Sequence, residues 1–189
     1  MQNKRFNAYT ITFAAMLAAM VFVVTLFRFP LLGSKVHFAN AVCLLCGMLL
    51  DPVTGGVSAG LGSALYDAVS GYDAVNVLIT FVSKFAMAYV CGLVAHRASS
   101  RRGKLDRTLV AAVLGALTYV LLYMLKTYVY NRFVYGYPLD TVGATMVAKL
   151  VPSLINAGVA VAAAPLFFHA ILPVLRSSGL AGHLPVDSL

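Results

Sequence analysis

Glutamate is absent from the 189-residue sequence, and its acidic side chains are six aspartates: Asp51, Asp67, Asp73, Asp106, Asp140 and Asp187. Charged residues of both signs make up only 11% of the chain, against about 25% in ordinary soluble domains, and 61% are hydrophobic against roughly 45–50%. A soluble domain of this length buries about 70% of its unfolded surface, and covering the remainder would take far more charge than is present. A soluble globular domain is therefore excluded, and lipid is the expected solvent.

Catalytic and metal signatures are also missing. The sequence has no GxxxxGK[ST] phosphate loop and no HExxH pair. His37, His96, His169 and His183 are scattered over separate segments, so neither a metal nor a cofactor is expected. The three cysteines, Cys43, Cys46 and Cys91, lie inside apolar stretches and imply no disulfide framework. Cys43-x-x-Cys46 has redox or metal spacing but lacks the βαβ context or the further ligands that such sites need, and reads as two buried positions on a helix. The net charge of +8 does not point to nucleic acid, because the basic residues sit between apolar runs and form no stripe on a polar domain.

What the sequence does hold is apolar runs: about 11–29, 38–50, 57–69, 75–95, 108–129 and 141–172. The first exceeds the 7–15 residues of a signal-peptide core and is followed by more of its kind, so it reads as a retained helix. The expected fold is an all-α integral membrane protein, a bundle of about six transmembrane helices forming one transmembrane domain over 1–189. The second and third runs are short, separated by the turn-forming Asp51-Pro52-Val53-Thr54-Gly55-Gly56. Gly56-xxx-Gly60 and Gly60-xxx-Ala64 suit close helix packing and suggest that the third helix runs through the centre.

With the N-terminus in the cytoplasm, an even helix number returns the C-terminus there. Lys4, Arg5, Arg97, Arg101, Arg102, Lys104, Arg107 and Arg176 then face inward, and Arg28, Lys35 and Arg132 outward, as the positive-inside rule favours. The remaining basic residues, Lys84, Lys126 and Lys149, fall within apolar helices. A lysine near the bilayer centre costs about 2.5–3.5 kcal/mol unless it faces a cavity or a partner. Lys84 and Lys149 therefore point inward, either lining a substrate cavity or pairing structurally, for instance with Asp67. Lys126, nearer a helix end, either joins them or snorkels to the interface. Tyr119, Tyr123, Tyr128, Tyr130 and Tyr137 form either an interfacial aromatic belt or a stacking surface for a planar ligand. Asn76 and Asn156 could supply amide hydrogen bonds.

Several segments resemble one family. Val36-His37-Phe38-Ala39-Asn40-Ala41, Gly47-Met48-Leu49-Leu50-Asp51-Pro52-Val53-Thr54-Gly55-Gly56, Gly60-Leu61-Gly62-Ser63-Ala64-Leu65-Tyr66-Asp67 and Thr80-Phe81-Val82-Ser83-Lys84-Phe85-Ala86-Met87 are similar to the substrate-binding S component of energy-coupling factor (ECF) vitamin transporters, riboflavin-type branch. The resemblance spans Ala14 to about Pro165. That family often has glycine where this chain has Asp51. It also carries an Ala-xxx-Ala signature on the first helix where a transmembrane coupling subunit docks, matched here by Ala14-xxx-Ala18 and Ala15-xxx-Ala19.

The resemblance implies a binding subunit without catalysis, in the cytoplasmic membrane of a prokaryote. It implies capture of a vitamin-like solute, such as riboflavin, a thiamine precursor, folate or a queuine-like base, from outside. Uptake would then be driven by the coupling subunit and two ATPases. The candidate solute ligands are Lys84, Lys149, Asn156, Asn76, Asp67, Tyr123, Lys126 and Tyr130. The alternative is a stand-alone ion-coupled secondary transporter, which would normally show matched internal repeats with broken helices, and no such halves are visible.

Overall fold

The computed structural model describes residues 7–27, 29–31, 34–36, 38–97 and 104–184. Lys4, Arg5, Arg28, His37, Arg101, Arg102 and Asp187 lie outside the described residues. Among the described residues six helices form the bundle: α1 (Ala8–Leu26), α2 (Ala39–Leu49), α3 (Pro52–Val69), α4 (Ala74–Ala95), α5 (Lys104–Val129) and α6 (Leu139–Ser177). Four of them, α1, α4, α5 with its continuation, and α6, are long and apolar enough to cross a membrane. The fold is the all-α membrane bundle that the composition requires.

The boundaries follow local chemistry. Pro30 lacks an N–H and holds Phe29 extended, so α1 stops at Leu26 and the end of the first apolar run becomes a small antiparallel hairpin, β1 (Phe29–Leu31) with β2 (Ser34–Val36), in which Phe29 lies opposite Val36. Asp51-Pro52 is not a free turn but the start of α3. The Asp51 carboxylate accepts the Thr54 N–H at 3.2 Å, and Pro52 fills the first helical position, where its missing donor costs nothing. Gly55 and Gly56 are thus helical, and α3 starts five residues before the apolar run suggested.

The centre of the bundle is α2 and not α3. Every residue of α2 is buried, and α1, α3, α4, α5 and α6 all pack around it. At ~1.5 Å per residue it is about 16 Å long, roughly half of a ~30 Å hydrocarbon layer. By contrast α3 exposes Val53, Val57, Leu61 and Leu65, one per turn, and presents Gly56 and Gly60 to α4. A Cβ at Gly56 would lie 2.8 Å from the Phe85 ring, and one at Gly60 2.9 Å from that of Phe81.

Packing is closest at the end of the bundle where α1 begins and α6 finishes. A Cβ on Gly47 would lie 2.2 Å from the Ala88 carbonyl oxygen, so the α2 and α4 backbones touch. His96, just past α4, donates from Nε2 to the Gly47 carbonyl at 3.2 Å. Asn7 Nδ2 donates to the His183 carbonyl at 2.8 Å, and the Tyr9 ring stacks on His183 at 4.4 Å. The start of α1 and the segment after α6 therefore meet on the same side, as an even number of helices demands.

Candidate functional site

At the opposite end, the space beyond the short α2 is a cavity of about 400 Å³. Its walls come from polar faces on otherwise apolar helices, each spaced so that the side chains stack on one side of the helix. On α6 that face is Lys149, Ser153 and Asn156; on α4 it is Asn76, Thr80, Ser83 and Lys84. On α3 Ser63 and Asp67 lie one turn apart, and α5 contributes Tyr119, Tyr123, Lys126 and Thr127. Thr25 of α1 closes the ring.

The end of α5 widens into a π-helical segment, Tyr130–Val134, in which the Tyr135 N–H bonds to the Tyr130 carbonyl at 2.9 Å. Tyr130 and Asn131 follow Lys126 and Thr127 by one turn on the cavity side, and beyond the residue inserted in the widened turn Tyr135 lines the cavity too. Such insertions are frequent at functional sites. Asn131 is buried, and its amide donates to the Thr127 carbonyl at 2.9 Å.

Lys84 lies ten residues into α4, or ~15 Å along the helix, and is 4% exposed. Its ammonium donates to the side-chain oxygen of Asn40, in the first turn of α2, and stands 3.8 Å from the centroid of the Tyr119 ring. Its partners are thus an amide and an aromatic face. Lys149 is at a similar depth on α6 and half-buried. Lys126 is half-buried as well, 5.7 Å from the Tyr130 ring centroid and within electrostatic reach of Asp67 and Lys149. It lines the cavity instead of reaching out along the bilayer surface.

The eight candidate ligands from the sequence therefore surround one space. The tyrosines divide: Tyr119, Tyr123 and Tyr130 line the cavity, whereas Tyr128 and Tyr137 are exposed and stand apart from it. Tyr119 and Tyr123 stack with centroids 6.1 Å apart. At the mouth, Asn76 donates side-chain and backbone hydrogen bonds to Asp73, which hold that exposed carboxyl below its ordinary value.

Ser83, Ser153, Thr127, Asn131 and Tyr135 also line the cavity and were not singled out from the sequence, although the i, i+4, i+7 spacing of Lys149, Ser153 and Asn156 carries the signal. Asn40, alone among apolar residues in α2, is the other missed position. Cys43 and Cys46 are buried in α2, with Cys43 Sγ 3.8 Å from the Ser63 hydroxyl. Among the described residues no three His, Cys, Asp or Glu side chains gather as a metal site would require.

On α1, Ala14 and Ala18 are partly buried, and the Ala18 carbonyl lies 2.3 Å from where a Cβ on Gly62 of α3 would be. Ala15 and Ala19 lie on the exposed face with Met16 and Met20. The two small-residue pairs thus serve different sides of the helix.

An apolar helix bundle with a ligand-sized polar cavity at one end and a tightly packed opposite end defines a polytopic membrane protein built around a solute site. The family model described as ECF-type riboflavin transporter, S component, matches residues 5–172, and the chain belongs to that family. The family is the substrate-binding component of a transporter and not an enzyme. A solved S component of a bacterial ECF transporter has the same fold, with a TM-score of 0.69 at 19% identity, covering 93% of this chain and 99% of that one. No curated protein matches the sequence.

Proposed function

We propose that the cavity captures a vitamin-like micronutrient from outside the cell, for import driven by a transmembrane coupling subunit and two ATPase subunits. The observation that carries the reading is the cavity itself, where four helices converge their polar faces on one space within an apolar bundle. Its volume falls within the roughly 300–1,000 Å³ of small-molecule sites. Family membership supports the assignment to ECF import. The positive-inside bias supports an orientation with both termini in the cytoplasm and the cavity mouth outside.

Because helix backbones touch at the packed end, the solute leaves by the mouth it entered, and release needs the whole bundle to tilt until that mouth reaches the other side. The exposed Ala15-xxx-Ala19 face of α1 is the docking surface for the coupling subunit, since small residues let a partner helix approach closely. Ala14 and Ala18, half turned into the bundle, support that face from behind.

Uptake of the solute by cells with and without the coupling and ATPase subunits tests the reading. Uptake is expected only when all are present, and uptake by this chain alone would favour the ion-coupled secondary transporter instead. Ala15→Leu with Ala19→Leu is expected to abolish uptake and leave solute binding to the purified protein intact. Equal loss of both would return these alanines to the fold.

A further inference from the structure

The charges around the cavity do not balance. Three lysines, Lys84, Lys126 and Lys149, line it, and Asp67 is the one acidic side chain among the described residues that do so. That leaves a surplus of two positive charges in a space walled by apolar helices. The three lysines also differ in what surrounds them. Lys84 is accounted for by the protein, bonded to Asn40 and placed over the Tyr119 ring. Lys126 and Lys149 are less deeply buried, they feel each other's charge, and the carboxylates acting on Lys126 are Asp67 and the exposed Asp73, which Asn76 already engages. Of these two aspartates only Asp67 lines the cavity, and it cannot neutralise both lysines there.

The same wall of α5 is aromatic. Tyr119 and Tyr123 stack on successive turns, and the π-helical segment sets Tyr130 beyond them, with the Lys126 ammonium held near its ring. A solute lying along this wall meets ring faces and edges over its length and two ammonium groups beside it. Hydroxyl and amide groups from Ser153, Asn156 and Asn131 complete the lining. A neutral ring would use the aromatic wall and leave the charge surplus standing. An aliphatic acid would use the charge and leave the wall unused.

We infer that the solute of this cavity is a planar aromatic acid, its ring along the α5 tyrosines and its carboxylate or phosphate held between Lys126 and Lys149. The inference rests on the reading that the cavity is the solute site and adds the chemical class of what fills it. The negative charge of the solute then completes the electrostatics of the site, and the bound state carries less unbalanced charge into the membrane than the empty one. The affinity of such a site falls with ionic strength, as a lysine-held anion requires.

Riboflavin and riboflavin 5′-phosphate provide a matched pair of probes, since they share one ring system and differ in the charged group. Titration of the purified protein, followed by flavin fluorescence at low salt, should give about 10-fold tighter binding of the phosphate, the order expected for one charge-assisted hydrogen bond. In the double variant Lys126→Gln with Lys149→Gln that preference should fall to near unity, with the melting temperature showing that the protein remains folded.

Equal or tighter binding of riboflavin to the unmodified protein overturns the inference and leaves the uptake reading standing. Binding of either flavin that survives unweakened in Ser153→Phe with Asn156→Phe, which sets two rings into the cavity, overturns both, because the solute then lies elsewhere. If neither flavin binds, the solute released by acid from protein purified out of its native membrane decides. An aromatic acid supports the inference, and a neutral compound, a ringless acid or no solute at all overturns it.

Discussion

The two halves of this bundle are made from the same helices and solve opposite problems. At the end with the termini, small residues let backbones meet: Gly47 lies against Ala88, and Gly55 against the Cys46 carbonyl. At the other end the same helices carry tyrosine, lysine, asparagine and serine on their inner faces and stay apart. What separates the halves is the length of α2. Eleven residues fill about half the depth of the membrane, and where the central helix is missing, the surrounding ones enclose a space. The site is thus a consequence of a short helix as much as of the residues that line it.

The sharpest way to break this division is to enlarge a residue where backbones touch. Gly47→Val should cost about 3 kcal/mol or more, the upper range for overpacking, because its new side chain meets the Ala88 carbonyl, which cannot move without α4. The expected sign is a melting temperature in detergent lowered by about 6–12 °C. An unchanged melting temperature would mean that the closed half is not what holds the bundle together.

The opposite test belongs to the open half. Lys149→Met and Lys126→Met should each weaken solute binding by about 10- to 150-fold, from the loss of a charge-assisted hydrogen bond, with the melting temperature nearly unchanged. Lys84→Met should do both kinds of damage, since it also leaves the Asn40 oxygen buried without its donor. Calorimetric titration of the solute, alongside thermal melts, separates the three. A lowered melting temperature in Lys149→Met with affinity preserved would move this lysine from the site to the scaffold.

The smallest expected effect is on pH. Burial pushes the His96 imidazole below its ordinary value, against the opposing pull of the Leu50 and Gly47 carbonyls, with Asp51 and Arg107 the charged neighbours. The folded protein thus prefers neutral His96, while the unfolded chain takes up a proton as pH falls through about 6.5. The stability this contributes is complete above that value and declines below it. Melting temperature should therefore drop between about pH 7 and 5, and His96→Gln should flatten the slope. No difference in slope would show that another group sets the acid limit.

Helix number and the polar faces were legible because both leave a mark within one segment. An isolated lysine in an apolar run is visible without a partner, and Lys149, Ser153 and Asn156 repeat at helical spacing. The central place of α2 was not legible, because an all-apolar segment reads alike whether it faces lipid or five other helices. Asp51-Pro52-Val53-Thr54-Gly55-Gly56 looked like a loop by composition, since the residues that cap and start a helix also make turns. The Lys84–Asn40 bond joins positions 44 apart in sequence, and nothing local marks such a pairing. The π-helical segment after Val129 was likewise not legible, since nothing in the local sequence marks it.

The closed half also has an electrical meaning. Across an energised membrane each elementary charge carried through is worth about 2.3 kcal/mol per 100 mV, and a continuous file of water or polar groups would let protons or ions dissipate that gradient. The polar lining ends near Lys84, and beneath it lies the apolar α2, seated against its neighbours. A cell can therefore hold many copies of this protein, loaded or empty, and its membrane stays insulating.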